Sequence, residues 1–150
     1  MTWLIDHKPV ITPDFILKNA FLFDIEQSLK AMPQADLPVE HEFADGIYLR
    51  KMSAPANSLI IGKRHRYRTM NILLEGEVTY YGGESIPCMR VKAPATFTSD
   101  ALTRKLLFFH QDSVFATVHP TDETDPGEIV KQFTIPEAEF VNLLKQEIGI

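Results

Sequence analysis

From Gly46 to Pro120 the chain is a close succession of short β-type segments divided by turn signals, and this pattern restricts the fold more than any other feature. Gly46 to Met52 alternates apolar and polar residues, Ser53-Ala-Pro-Ala-Asn-Ser58 interrupts it, and Leu59-Ile60-Ile61 is a short apolar run. Asn71 to Tyr81 is strand-like with Glu75-Gly76 inside it, and Gly82-Gly83 is a turn. Met89 to Lys92, Thr96 to Thr98, Arg104 to Phe109 and Ser113 to Val118 follow. Many short strands so spaced form a sandwich or a barrel, not alternating strand and helix units.

Helical patterns flank this zone. Leu17, Phe21, Ile25 and Leu29 recur every four residues, with Thr12-Pro13 as a start signal and Pro33 as a stop, which predicts an amphipathic helix with that stripe buried. Asp125, Pro126 and Glu128 form a helix-start pattern, with the aspartate as cap and proline in the first turn. A last helix from about Pro136 to Ile148 puts Phe140, Leu144 and Ile148 on one stripe with Val141 beside it. At 150 residues the chain is expected to be one domain. Its parts are a helical extension over 1–38, a barrel over 39–126 and a helical segment over 127–150.

An apolar fraction of 45% with 23% charged residues fits a globular chain rather than a disordered one. A net charge of −5 disfavours a broad nucleic-acid face. No apolar run reaches the length of a membrane span, and the first residues lack a basic start and an apolar core, so no membrane contact and a cytoplasmic location are expected. The one cysteine, Cys88, excludes an internal disulfide, and its neighbours Ile86, Pro87 and Met89 predict an inert thiol in an apolar setting. Lys63, Arg64, His65, Arg66 and Arg68 concentrate positive charge. They form either a solvated surface or an anion-binding rim, according to whether the side chains converge on a pocket.

Four segments carry a family resemblance: Gly46-Ile-Tyr-Leu-Arg50; Ser58 through His65; Asn71-Ile-Leu-Leu-Glu-Gly-Glu77; and Ala93-Pro-Ala-Thr-Phe97 with Thr103-Arg-Lys105 and Thr117 through Glu123. Together they resemble the cupins, and in particular the short single-domain cupin-like proteins of bacteriophages. The resemblance implies a mainly β fold, a single cupin-type β-barrel or jelly roll with an N-terminal helix and C-terminal helices packed outside. In the first cupin motif, Gly62, His65, Asn71 and Gly76 follow the family order, but Tyr67 stands where a second histidine belongs. In the second, Pro94-Ala95-Thr96 lacks the family glycine, and Ser99 falls near the histidine position.

A transition metal needs three or four well-placed ligands, and motif mapping supplies His65 alone. The metal site therefore reads as degenerate and no cofactor is expected; a divalent metal, if bound, would draw first on His65 and His119, which no spacing brings together. Lys63, His65, Tyr67 and Asn71 share parity along an extended chain, so one unbroken strand would aim all four at one face, a set suited to a small polar or anionic ligand. The expected function is a cupin-like binding module, of the phage accessory kind, that takes such a ligand or a host protein and forms a homodimer. For a phage-encoded protein the compartment is the host cytoplasm. The alternative is a cupin enzyme, either metal-dependent or a metal-free isomerase or epimerase using His65 and Tyr67.

Overall fold

The computed structural model describes residues 13–83 and 88–149, with side chains from residue 19 onward. Helix α1 (Pro13–Lys30) precedes nine strands: β1 (Val39–Ala44), β2 (Ile47–Ala54), β3 (Ser58–Arg64), β4 (Thr69–Glu75), β5 (Glu77–Tyr81), β6 (Met89–Lys92), β7 (Ala95–Ser99), β8 (Arg104–Phe109) and β9 (Ser113–His119). Helices α2 (Pro126–Phe133) and α3 (Glu137–Ile148) follow.

The strands form two antiparallel sheets, ordered β1-β2-β9-β4-β7 and β3-β8-β5-β6. The chain crosses between sheets at nearly every connection, so from β2 onward it winds as an eight-stranded jelly roll. Met52, Leu73 and Phe115 from the first sheet meet Val78, Tyr80, Leu107 and Phe109 from the second, and the core lies between them. No described helix is long and apolar enough to cross a membrane.

The stretch read as one segment, Asn71 to Tyr81, is two strands in different sheets. Gly76 makes the passage with φ of +92°. A Cβ there would lie 2.0 Å from Ser113 Oγ and 2.8 Å from the Asp112 carbonyl oxygen. Gly76→Ala therefore meets both a left-handed backbone and a filled space, and is expected to cost about 2–4 kcal/mol. Denaturant melts of the two proteins check this; equal midpoints would contradict it.

Strand β1 lies outside the predicted segments because its sequence, Val-Glu-His-Glu-Phe-Ala, has no buried residue to set a pattern. It forms the edge of the first sheet by pairing with β2, and Glu40 and Glu42 reach Lys51 at 3.3 and 2.7 Å. Helix α1 is present, but its inward face differs from the stripe predicted. Leu22 is buried and Phe21 is 62% exposed, while Thr12 and the Leu17 side chain lie outside the described residues. The face is set by polar docking: Asn19 Oδ1 accepts from Arg64 at 2.7 Å and Glu26 from Arg104.

Helix α2 begins as predicted, with the Asp125 carboxylate accepting from Gly127 N–H at 3.0 Å. In α3, Phe140 is buried, with Leu143 and Leu144 packed in its cluster, whereas Val141 and Ile148 are exposed. Between the helices the backbone pairs with the chain after β3. Arg66 N–H donates to Phe133 O at 2.8 Å and Ile135 N–H to Arg64 O at 2.9 Å. This pairing fixes α2 across one end of the barrel.

Candidate functional site

Strand parity builds a cavity at that end. On β2, Tyr48, Arg50 and Met52 point to one side; on β9, Phe115, Thr117 and His119 do the same; on β8, Lys105 and Leu107 do so from the opposite sheet. The antiparallel register sets Tyr48 beside His119, Arg50 beside Thr117 and Met52 beside Phe115. The interior is thus apolar at the Met52 end and polar at the His119 end, and α2 covers the polar end with Ile129 and Phe133. The cavity, open to solvent at its rim, has a volume of about 310 Å³, at the small end of ligand pockets.

The polar end is cationic. Arg50, Lys63, Lys105 and three histidines line the cavity, and no carboxylate does. Lys105 is only 5% exposed. Its Nζ donates to Asn71 Oδ1 at 2.6 Å. Asn71 is held in that orientation because its Nδ2 donates to Thr69 O, Phe97 O and Ser99 Oγ at 3.2, 3.3 and 3.2 Å. Burial, with the Arg50 charge as a second cause, pushes Lys105 down to about 7. Neither Lys105 nor Arg50 forms an ion pair with a described residue; the described pairs lie elsewhere.

His65 and His119 meet edge to face with ring centroids 5.4 Å apart. His65 Nδ1 lies 2.9 Å from Thr69 Oγ1, whose own proton goes to Tyr67 O at 3.2 Å. The imidazole therefore donates through Nδ1 and keeps Nε2 as its acceptor. Burial holds His65 well below its ordinary range, reinforced by Lys105, His119 and Arg50. Burial, then Lys105 and Arg50, push His119 down to about 4. Both rings are neutral at pH 7. At the rim, His41 Nδ1 and Tyr48 Oη are 2.6 Å apart, and burial raises the Tyr48 phenol.

Of the residues expected to share one face, His65 lines the cavity and Lys63 sits at its edge. Asn71 lies behind the cavity as the support of Lys105, and Tyr67 packs its ring on Phe133, centroids 6.3 Å apart. The common face fails because β3 slips register between Ile61 and Arg64 and residues 65–68 leave the ladder. Tyr67 is thus absent from the wall that His65 lines. The fold also brings His65 to His119, which no spacing in the sequence joins, and both line the cavity. Arg50, Lys105, Thr117 and Tyr48 were not among the expected site residues. Alternation along β2, β8 and β9 was the available signal.

The basic segment divides between two pockets: Lys63 and His65 reach the inner cavity, while Lys63, Arg64 and Arg66 line an outer groove. Arg64 turns away from the cavity to Glu137 and the Phe140 ring, Arg66 pairs with Glu139, and Arg68 is exposed near Thr98. A larger groove of about 480 Å³ lies between these arginines, Glu26 and α3. Its arginines Arg64, Arg66 and Arg104 each face a carboxylate and Lys131 pairs with Glu128, which leaves Lys63 at the edge shared with the inner cavity as the lining cation without a described ion pair. Cys88 is exposed, against the apolar setting expected for it, and Ile86 and Pro87 lie outside the described residues.

The connectivity and strand order are now sufficient to name the architecture. The fold is a mainly β, two-sheet antiparallel jelly roll with helices at both ends. No protein-family model matches the chain, and no curated protein matches it. Among solved structures, an acetylacetone dioxygenase from Acinetobacter johnsonii is similar at 21% identity and TM-score 0.46, over 58% of this chain and 61% of that one. The chain thus spans less than two thirds of that enzyme. A cupin superfamily protein from Desulfitobacterium hafniense aligns at 10% identity and TM-score 0.49, over 63% and 86% of the two chains. An RmlC-like cupin from Methanocaldococcus jannaschii aligns at 14% and 0.45, over 58% and 82%.

The resemblance to the cupins implies a divalent metal in this cavity. His65 and His119 offer two nitrogens, but the Asn71 oxygen accepts from Lys105 and Tyr67 faces Phe133. Among the described residues no three His, Cys, Asp or Glu side chains gather to hold a metal. Lys105 and Arg50, which already disfavour a proton on both rings, would oppose a dication in the same way. The residues present do not fit a divalent metal.

Proposed function

We propose that this jelly roll binds a small organic anion of the carboxylate class inside its polar end. One observation carries the reading: Arg50 and Lys105 both line a cavity that has no carboxylate in its wall. Cations taken from water need a counter-charge, and here the ligand supplies it. Arg50 offers a planar fork suited to a carboxylate and Lys105 a point charge, while the neutral His65 and His119 and the Thr117 hydroxyl complete the hydrogen bonding. The apolar floor of Met52, Leu107 and Phe115 takes the ligand's carbon end.

Thermal-shift titration tests the reading. A short carboxylate such as lactate, at about 100 times its Kd, is expected to stabilise the fold by about 2.7 kcal/mol, while neutral sugars leave the melt unchanged. Arg50→Gln is expected to weaken binding about 10–100-fold, the worth of a charge-assisted hydrogen bond. An anion that favours the Lys105 ammonium takes up a proton on binding, so affinity falls as pH rises through about 7. Stabilisation by sugars and anions alike, or an Arg50→Gln protein that binds as well as the parent, would overturn the assignment.

A further inference from the structure

Lys105 offers more than a charge. Its side chain is buried, its hydrogen-bond acceptor is the neutral amide of Asn71, and no described carboxylate pairs with it. A lysine desolvated in an apolar pocket, or set beside another cation, is the kind that acts as a nucleophile toward carbonyl carbon. Lys105 meets both conditions, with the Phe115 ring centroid 5.3 Å from Nζ and Arg50 in the same cavity. Its lowered proton affinity leaves much of it as free amine near neutral pH. The opposing sheets also divide the labour. Arg50 comes from β2 of one sheet and Lys105 from β8 of the other, so a ligand held by its carboxylate on Arg50 presents its next carbon toward the second sheet.

We propose that Lys105 captures the carbonyl carbon of a 2-oxo acid as a reversible imine while Arg50 holds the carboxylate. This rests on the anion-binding reading above and names its ligand class. The nitrogen lone pair forms the C–N bond as the carbonyl π pair moves to oxygen. Transfer of a proton from nitrogen to oxygen gives the carbinolamine. The C–O bond then breaks, the hydroxyl leaves as water with the second amine proton, and C=N forms. One amine and one carbonyl thus give one imine and one water, with no change of oxidation state. His65, with Nδ1 committed to Thr69, keeps Nε2 as the acceptor that can relay these protons.

The test is borohydride trapping with pyruvate as the probe, read by intact mass and by peptide mapping of the full chain. One reduced adduct per chain, mapped to Lys105 and suppressed by excess lactate, is the expected result. In Lys105→Arg the adduct at that peptide is lost. Adducts spread over exposed lysines such as Lys30 and Lys131, or none at all, overturn the proposal, and the wild-type map decides this even if the variant fails to fold. The lactate melt keeps the two readings apart. Stabilisation by lactate without an adduct at Lys105 sinks the imine and leaves the anion site, whereas an adduct at Lys105 with neither stabilisation nor suppression by lactate removes the carboxylate site at Arg50 and overturns the proposal in this form, leaving only a reactive lysine.

Discussion

Lowering the pH of the ligand-free protein from 7 to 5 is expected to cost about 2 kcal/mol of stability through His119, with His65 adding a loss of the same sign, a large share of what a domain of this size has. His119 and His65 cause it. In the unfolded chain both titrate near the ordinary value of 6.5, while in the fold His119 is pushed to about 4 and His65 well below its usual range. A group whose folded pKa is depressed gives stability that is complete above its unfolded pKa and is lost as pH falls toward the folded one. For His119 the window is therefore pH 6.5 to about 4, with about 1.4 kcal/mol per pH unit within it, and His65 acts with the same sign below its ordinary pKa. Lys105 extends the same sign upward, since it holds its proton to about 10.5 unfolded and about 7 folded, so stability keeps rising between those values. Urea melts across pH 5 to 9 check both limbs. His119→Gln should flatten the acid limb and Lys105→Met the alkaline one; parallel profiles for all three proteins would contradict the burial that the cavity imposes.

Arg64→Ala is expected to cost about 3–5 kcal/mol, against about 0–1 kcal/mol for Arg66→Ala two residues on. Arg64 is 3% exposed and donates to Glu137 at 3.0 and 3.3 Å, to Asn19 at 2.7 Å and to Leu102 O at 2.8 Å. Its guanidinium lies 3.6 Å from the Phe140 ring centroid. Removing it unfastens α1 and α3 from the barrel at once and strands the acceptors it satisfied. Arg66 pairs with Glu139 at 3.2 Å, but both side chains are solvated and the pair is screened. Equal losses from the two substitutions would mean that Arg64 is not the joint the geometry makes it. Because α2 is fixed by the same stretch of backbone, the Arg64→Ala protein should also bind lactate more weakly than Arg66→Ala.

The barrel was legible because its strands bury one face each, and period-two alternation between turn residues records that directly. Strand β1 was not, since an edge strand with no buried residue has no alternation to show. The α1 stripe misled for a related reason: four-residue spacing marks a face, but Arg64 and Arg104 reach Asn19 and Glu26 and so decide which face turns inward. For the site, His65 was found because it lies in the family motif, and Lys63 because it shares parity with His65 along the same stretch. Arg50 and Lys105 were missed because a cation within a strand reads as a solvated position until the register shows its neighbours. The slip between Ile61 and Arg64 undid the shared parity of Tyr67 and Asn71, and a slip of this kind leaves no mark in composition.

The central claim is that the polar end of the barrel is an anion site, and a crystal structure grown with excess lactate tests it most directly. The account predicts the carboxylate within hydrogen-bond distance of Arg50 and Lys105, with the carbon end on Met52, Leu107 and Phe115. Lactate found only in the outer groove beside Arg66 and Lys131, with the inner cavity closed by side chains, would contradict it.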